Sequence, residues 1–258
     1  MMSSKNCVLR RALTLSVAAG LLLSAAVLAP AARQLNGVVQ TSLAAGATPA
    51  SPVKVWNFDH DRGYLMPKDW TAVSGKWVVL QDSNAPSLPN ALGLPGYGLP
   101  RMHQVMLWID SFFSTNYLIA IPNDPTEYSD FTLEAAFNPW GGAWGSYAGL
   151  VFRYQDAQNY YVLAAVCPRD YLALYRMSDG HLNLIKQTPA DLQRGHWYTF
   201  KVEARGDHFV SYLDGKQIFE AQDAGLAKGR IGVWSQNDSR VSFDNIKLTP
   251  ASQGVPPA

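Results

Sequence analysis

Arg153, Glu134 and Asp156, together with Tyr161 and the tryptophans Trp140 and Trp144, are the residues of this chain whose types and spacing could hold a ligand. A planar guanidinium and carboxylates chelate neighbouring hydroxyls, and aromatic rings stack on the apolar faces of sugars, so the set predicts a carbohydrate as partner. Trp140-Gly141-Gly142-Ala143-Trp144-Gly145 reads as a loop that carries two rings, with Tyr160, Tyr161, Tyr171 and Tyr175 near it in sequence. From Gly149 to Tyr154, alternation points Leu150 and Phe152 to a core and Val151 and Arg153 outward, with Glu134 on the preceding strand as an ion-pair partner. A plainer role stands beside this one. Arg153 with Glu134 or Asp156 is also the make-up of a structural salt bridge, and Trp56, Trp77, Trp197 and Trp234 fall within strand patterns, where a ring is usually core.

Other chemistries find little footing. The five histidines (His60, His103, His181, His196 and His208) include no pair at a His-x-x-x-His or His-x-His spacing, so no transition-metal site is predicted. There is no Gly-x-Ser-x-Gly elbow for a serine nucleophile. Gly141-Gly142 is not followed by the Gly-Lys-Ser/Thr of a phosphate loop. Cys7 lies near the N-terminus, and Cys167 follows the apolar run Val162 to Val166, which reads as a buried thiol rather than a nucleophile. No catalytic residue is assigned.

The elements that must position these residues are strands. Short β-rich segments with turn signals between them run through the chain, and no stretch sustains helical periodicity over three turns. The candidates are 53–59, 76–81, 104–108, 116–121, 131–138, 149–154, 160–166, 171–177, 181–186, 197–204, 208–213, 216–221, 230–235 and 240–248. So many strands without helices fit an all-β, two-sheet antiparallel sandwich. Ser178-Asp179-Gly180, Arg205-Gly206-Asp207 and Leu213-Asp214-Gly215 predict three tight hairpins, because each supplies residues that accept positive φ. Phe200, Val202 and Ala204 alternate with Lys201, Glu203 and Arg205, the pattern of a strand with one face on the core and one in water.

The ends of the chain read differently. Lys5, Arg10 and Arg11 precede an apolar run from Ala12 to Ala29, and Ala29-Pro30-Ala31 offers small residues for cleavage, so residues 1–31 are predicted to be a secretory signal peptide. The run also approaches the length of a membrane span, which leaves an uncleaved anchor as the alternative. Residues 32–52 form an acid-free spacer rich in Ala, Ser and Thr, residues 53–249 the folded domain, and 250–258 a linker-like tail. Removing Lys5, Arg10 and Arg11 from the 21 basic residues leaves 18 against 20 acidic ones, a charge of about −2, which argues against nucleic acid as a partner. A periplasmic or secreted location follows, with no membrane association once the signal is removed.

Ala148-Gly149-Leu150-Val151-Phe152-Arg153-Tyr154-Gln155-Asp156-Ala157-Gln158-Asn159-Tyr160-Tyr161-Val162 resembles the central hairpin of bacterial laminin-G-like domains of the concanavalin-A-like lectin/glucanase superfamily. Trp197 to Glu203, Tyr212 to Lys216, Gly229 to Trp234 and Phe243 to Ile246 follow in the order of that superfamily, and Trp56-Asn57-Phe58-Asp59 resembles its opening. The resemblance implies a jelly roll and, from relatives such as levan-binding modules, a lectin-like carbohydrate-binding domain. Two alternatives come with it: a glycoside-processing enzyme of the 3-keto-disaccharide hydrolase type, and an envelope structural or protein-interaction domain. The resemblance also implies a possible structural calcium at Asp59, Asp61 and Asp244, against which stands the reading of Asp59 and Asp61 as turn residues and Asp244 as a hydrogen-bonded carboxylate.

Departures qualify the functional transfer. The Glu-x-Asp-x-x-Glu strand of β-glucan-cleaving relatives is absent, and the four glutamates (Glu127, Glu134, Glu203 and Glu220) include no two placed for one face of one strand. Tyr147-Ala148-Gly149 stands where the 3-keto-disaccharide hydrolase pattern has Asn-Ser-Gly, and Tyr160-Tyr161-Val162-Leu163 where it places Glu and Asp. Ala164 and Val166 occupy positions where relatives with this hairpin often carry Arg and Asn.

Overall fold

The computed structural model describes residues 52–88, 90–94, 117–142, 145–167 and 169–251. Every regular element in them is a strand: β1 (Lys54–Trp56), β2 (Trp70–Ser74), β3 (Val78–Gln81), β4 (Asn90–Leu94), β5 (Tyr117–Pro122), β6 (Phe131–Gly141), β7 (Ser146–Asp156), β8 (Asn159–Cys167), β9 (Tyr171–Ser178), β10 (His181–Pro189), β11 (Tyr198–Arg205), β12 (His208–Leu213), β13 (Lys216–Gln222), β14 (Arg230–Gln236) and β15 (Arg240–Pro250). They form two antiparallel sheets. One runs β13-β12-β11-β6-β15-β4-β3 with β1 added on β15, and the other runs β10-β9-β8-β7-β14-β5-β2. This is the predicted all-β sandwich.

The three hairpins form where glycine and aspartate allow them. Asp179 and Gly180 have φ of 51° and 79°, and Asp214 and Gly215 have 49° and 76°, the paired positive angles a two-residue turn needs to match strand twist. Gly206 supplies a single positive φ of 55° between β11 and β12. β2 and β4 go beyond the predicted strands, and the segment 104–108 lies outside the described residues. Gly93 marks β4 for a physical reason: a Cβ there would lie 2.6 Å from the Val241 carbonyl oxygen, so only glycine admits β15 so closely.

Between the sheets lies one core that includes Phe131, Phe137, Phe152, Tyr161, Phe200, Phe209 and Phe243, with Phe137 and Phe200 edge-to-face at 4.4 Å. Cys167 belongs to it as a buried free thiol whose Sγ–H reaches the Leu192 carbonyl at 3.4 Å, and burial pushes its pKa up. Among the described residues no helix is long and apolar enough to cross a membrane.

Candidate functional site

A strand buried on one face shows alternating side chains, but β7, β8, β9 and β14 are apolar on both. Their inner residues join the core. Their outer residues, with those of β5, build a second apolar cluster: Ile119, Ile121, Val151, Tyr154, Tyr160, Val162, Ala164, Val166, Met177 and Trp234. Half-buried Tyr117, Tyr147, Tyr171 and Tyr175 pack over it, with Leu182. The registers Gly149↔Ala164 and Ala164↔Ala173 set small residues side by side across the middle of the sheet, with Val162↔Tyr175 and Val166↔Tyr171 flanking them. The result is an apolar layer with half-buried tyrosines packed against it.

Trp234 anchors that layer. It faces Gly149 across the strand pair, where a Cβ would fall 2.7 Å from Val162 Cγ2 and 3.0 Å from Trp234 Cε3, so glycine is what lets the indole lie flat. Tyr117 stacks on it at 5.7 Å and 28°, and its Nε1–H donates to Tyr160 Oη at 3.3 Å. Tyr154 and Tyr160 stack at 6.0 Å, and the hydroxyls of Tyr171 and Tyr175 lie 3.3 Å apart. Burial pushes the phenols of Tyr117, Tyr154, Tyr160 and Tyr175 up, so all remain neutral donors and acceptors. The outward strand positions named here carry no carboxylate or imidazole. Arg230, at the start of β14, spends its guanidinium on the carbonyls of Asp124 and Pro122. Chemically, this face offers aromatic surface and neutral hydroxyls.

Of the residues singled out in the sequence, those that are described do not assemble on this face. Arg153 points inward, with only 1% of its surface exposed. The β7 register slips against β8 between Phe152 and Asp156 and against β14 between Arg230 and Gly232, and Arg153 takes a φ of 48°, which breaks the alternation that predicted an outward side chain. Its guanidinium donates to the carbonyls of Ser129 (2.8 Å), Leu226 (2.8 Å) and Gly206 (2.5 Å) and lies 5.0 Å over the Phe209 ring. Burial pulls its pKa below the ordinary value, and its nearest carboxylate is Asp130 at 4.0 Å, not Glu134. Arg153 therefore ties together one end of the sandwich.

Tyr161 also lies inside, stacked on Phe152 at 5.4 Å, and donates to Asp223 Oδ1 at 2.5 Å. Arg176 Nη1 grips both oxygens of that carboxylate at 2.5 and 2.7 Å. Glu134 sits on the outer face of the other sheet, opposite Lys201 and Lys247. Asp156 is an exposed turn residue that accepts from Gln158 N and Asn159 Nδ2. Trp140 is half-buried, with Nε1–H on Ser242 Oγ at 3.1 Å, and Trp144 lies outside the described residues. Asp59 and Asp244 do come near each other, while Asp61 brings a main-chain carbonyl to Asn90.

Fold and registers define a concanavalin-A-like β-sandwich with one aromatic outer face. Residues 120–249 match the family model of the 3-keto-alpha-glucoside-1,2-lyase-like domain, and the chain belongs to that family. It is 31% identical over 123 residues to the levanase of Bacillus subtilis (strain 168), a match of 46% of this chain and 17% of the levanase, so it spans about a sixth of that relative. Among solved structures it is similar to the carbohydrate-binding module CBM66 from Bacillus subtilis, at TM-score 0.53 and 22% identity over 70% of this chain and 95% of the module. A mutant GH43 protein from Bacillus licheniformis matches at TM-score 0.50 and 16% identity, over 76% of this chain and 39% of that one.

Proposed function

We propose that the chain is an exported carbohydrate-binding domain that takes its ligand on the outer face of the seven-stranded sheet. The observation that carries this reading is the set of half-buried rings of Tyr117, Tyr147, Tyr171 and Tyr175 packed on the outer apolar layer that holds Val162, Ala164, Val166 and Trp234. Tyrosine rings stack on sugar rings while their hydroxyls bond sugar hydroxyls. The similarity to a levanase and to a carbohydrate-binding module supports the same ligand class. Export rests on the basic and apolar N-terminal segment, with the binding domain beginning near residue 53. Incubating the purified protein with a polysaccharide panel that includes levan, and measuring retention in affinity gels, tests the reading; retention by none of them overturns it.

The apolar character of the face favours a second reading, a protein-interaction domain of the cell envelope, because contiguous aromatic surface also serves protein partners. Family membership favours a third, lyase chemistry. Elimination beside a ketone needs a base and an acid, whereas the tyrosines here are held protonated. Release of free sugar from a 3-keto-disaccharide would establish the lyase, and the binding reading expects none.

A further inference from the structure

Three of the four half-buried tyrosines share one register line across the seven-stranded sheet. Tyr171 on β9 pairs with Val166 on β8, and Val166 pairs with Tyr147 on β7. On the other side, Tyr117 on β5 pairs with Gln236 on β14. The β14–β7 register Trp234↔Gly149, continued by two residues, sets Gln236 opposite Tyr147, and Ser235 Oγ–H donates to the Tyr147 carbonyl at 2.6 Å beside it. The line from β5 to β9 is therefore Tyr117, Gln236, Tyr147, Val166, Tyr171. With the strand order β9-β8-β7-β14-β5, a tyrosine stands on every second strand.

The adjoining line is different. It runs Ile119, Trp234, Gly149, Ala164, Ala173 and carries no tyrosine. All three tyrosines of the first line pack against the outer apolar cluster, so their rings stand on one side of the sheet. Neighbouring strands lie about 4.8 Å apart, so rings on alternate strands recur about every 10 Å, and the line measures about 19 Å from end to end. An extended sugar chain presents equivalent ring faces at a similar interval, once per disaccharide unit. None of the five residues is charged.

Resting on the carbohydrate reading of this face, we infer that the ligand is an uncharged, extended glycan bound along its length, across the strands, with alternate sugars stacked on Tyr117, Tyr147 and Tyr171. Gln236 is two residues from the outward Trp234 on the same strand and lies between the first two rings, where its amide serves the hydroxyls of the intervening sugar. A single sugar or a chain end uses only one of these rings. The even spacing also separates this face from a protein-docking surface, whose aromatic anchors gather near one centre.

Calorimetric titration of the full chain with oligosaccharides cut from cellulose and from levan, graded from disaccharide to hexasaccharide, tests the inference. In at least one series affinity should rise about tenfold or more from disaccharide to hexasaccharide as stacking contacts add. Tyr117→Ala and Tyr171→Ala, at opposite ends of the line, should each remove most of that gain and leave disaccharide affinity near that of the wild type. Circular dichroism identifies a variant that has not folded; the other variant then decides, and the wild-type series decides without either. Equal affinity for disaccharide and hexasaccharide overturns the chain-length inference while the carbohydrate reading stands. No heat from either series overturns it too, and retention in the affinity gels then judges the carbohydrate reading separately.

Discussion

The two sheets present opposite surfaces to their surroundings. On the eight-stranded sheet the outer face is charged: Lys247 and Lys201 stand opposite Glu134 in the strand register, and Lys201 lies 3.7 Å over the Tyr212 ring and bonds Glu203 at 2.7 Å. On the seven-stranded sheet the corresponding layer is tryptophan, tyrosine, valine and alanine. Both sheets bury similar aromatic residues between them, so the difference does not arise from the needs of the core. Solvation explains the charged face. An aromatic layer on the outside of a sandwich asks for a ligand or a partner.

The contrast can be broken most forcefully at Trp234. If the aromatic face is packed like an interior, Trp234→Ala should destabilise the fold by about 3–5 kcal/mol, read from urea unfolding. A cost under about 1 kcal/mol would mean that the indole is only a surface ring. Arg153→Ala should cost about 2–4 kcal/mol in the same assay, because it leaves the carbonyls of Ser129, Leu226 and Gly206 without their shared donor. Binding in any Arg153→Ala protein that remains folded should be close to wild type, which separates this end of the sandwich from the aromatic face.

The acid response comes next in size. Burial alone would lift the Asp223 carboxyl, but hydrogen bonds from Tyr161, Gly225 N and Arg176 outweigh it and hold the pKa below the usual carboxylate range. A depressed folded-state pKa contributes stability that is present above the unfolded value of about 3.9 and lost as pH falls through the folded one. Wild-type stability should therefore decline below about pH 4, and Asp223→Asn should flatten part of that decline while lowering stability at neutral pH. Unchanged acid sensitivity in the variant would count against the Tyr161–Asp223–Arg176 linkage. Smallest of all, Glu134→Ala on the charged face should shift stability by no more than about 1 kcal/mol and leave binding untouched.

What the sequence revealed of this arrangement depended on how local the signal was. The alternation of β11 and the Asp-Gly turns at 179–180 and 214–215 are decided by neighbouring residues, and the structure repeats them. β4 with Gly93 and the short run after Asp69 lie outside the predicted strands because close approach to β15 and pairing with β5 are tertiary facts. Arg153 misled for a related cause: the period of two was sound up to Phe152, and a bulge set by two neighbouring strands reversed the next side chain. The aromatic face did leave a trace, the unbroken apolar run from Tyr160 to Val166, which is too continuous for a strand with one wet side. Ala164 and Val166, first notable as departures from relatives, turn out to belong to its buried apolar cluster.

Calorimetric titration of the full chain with a polysaccharide that it retains, run on the wild type, Tyr175→Ala and Glu134→Ala, tests the central claim most directly. The account predicts that Glu134→Ala binds as the wild type does, while Tyr175→Ala, with an unchanged circular dichroism spectrum, loses about tenfold or more in affinity. Equal affinity in Tyr175→Ala, or a loss confined to Glu134→Ala, would contradict it and move the ligand to the other sheet.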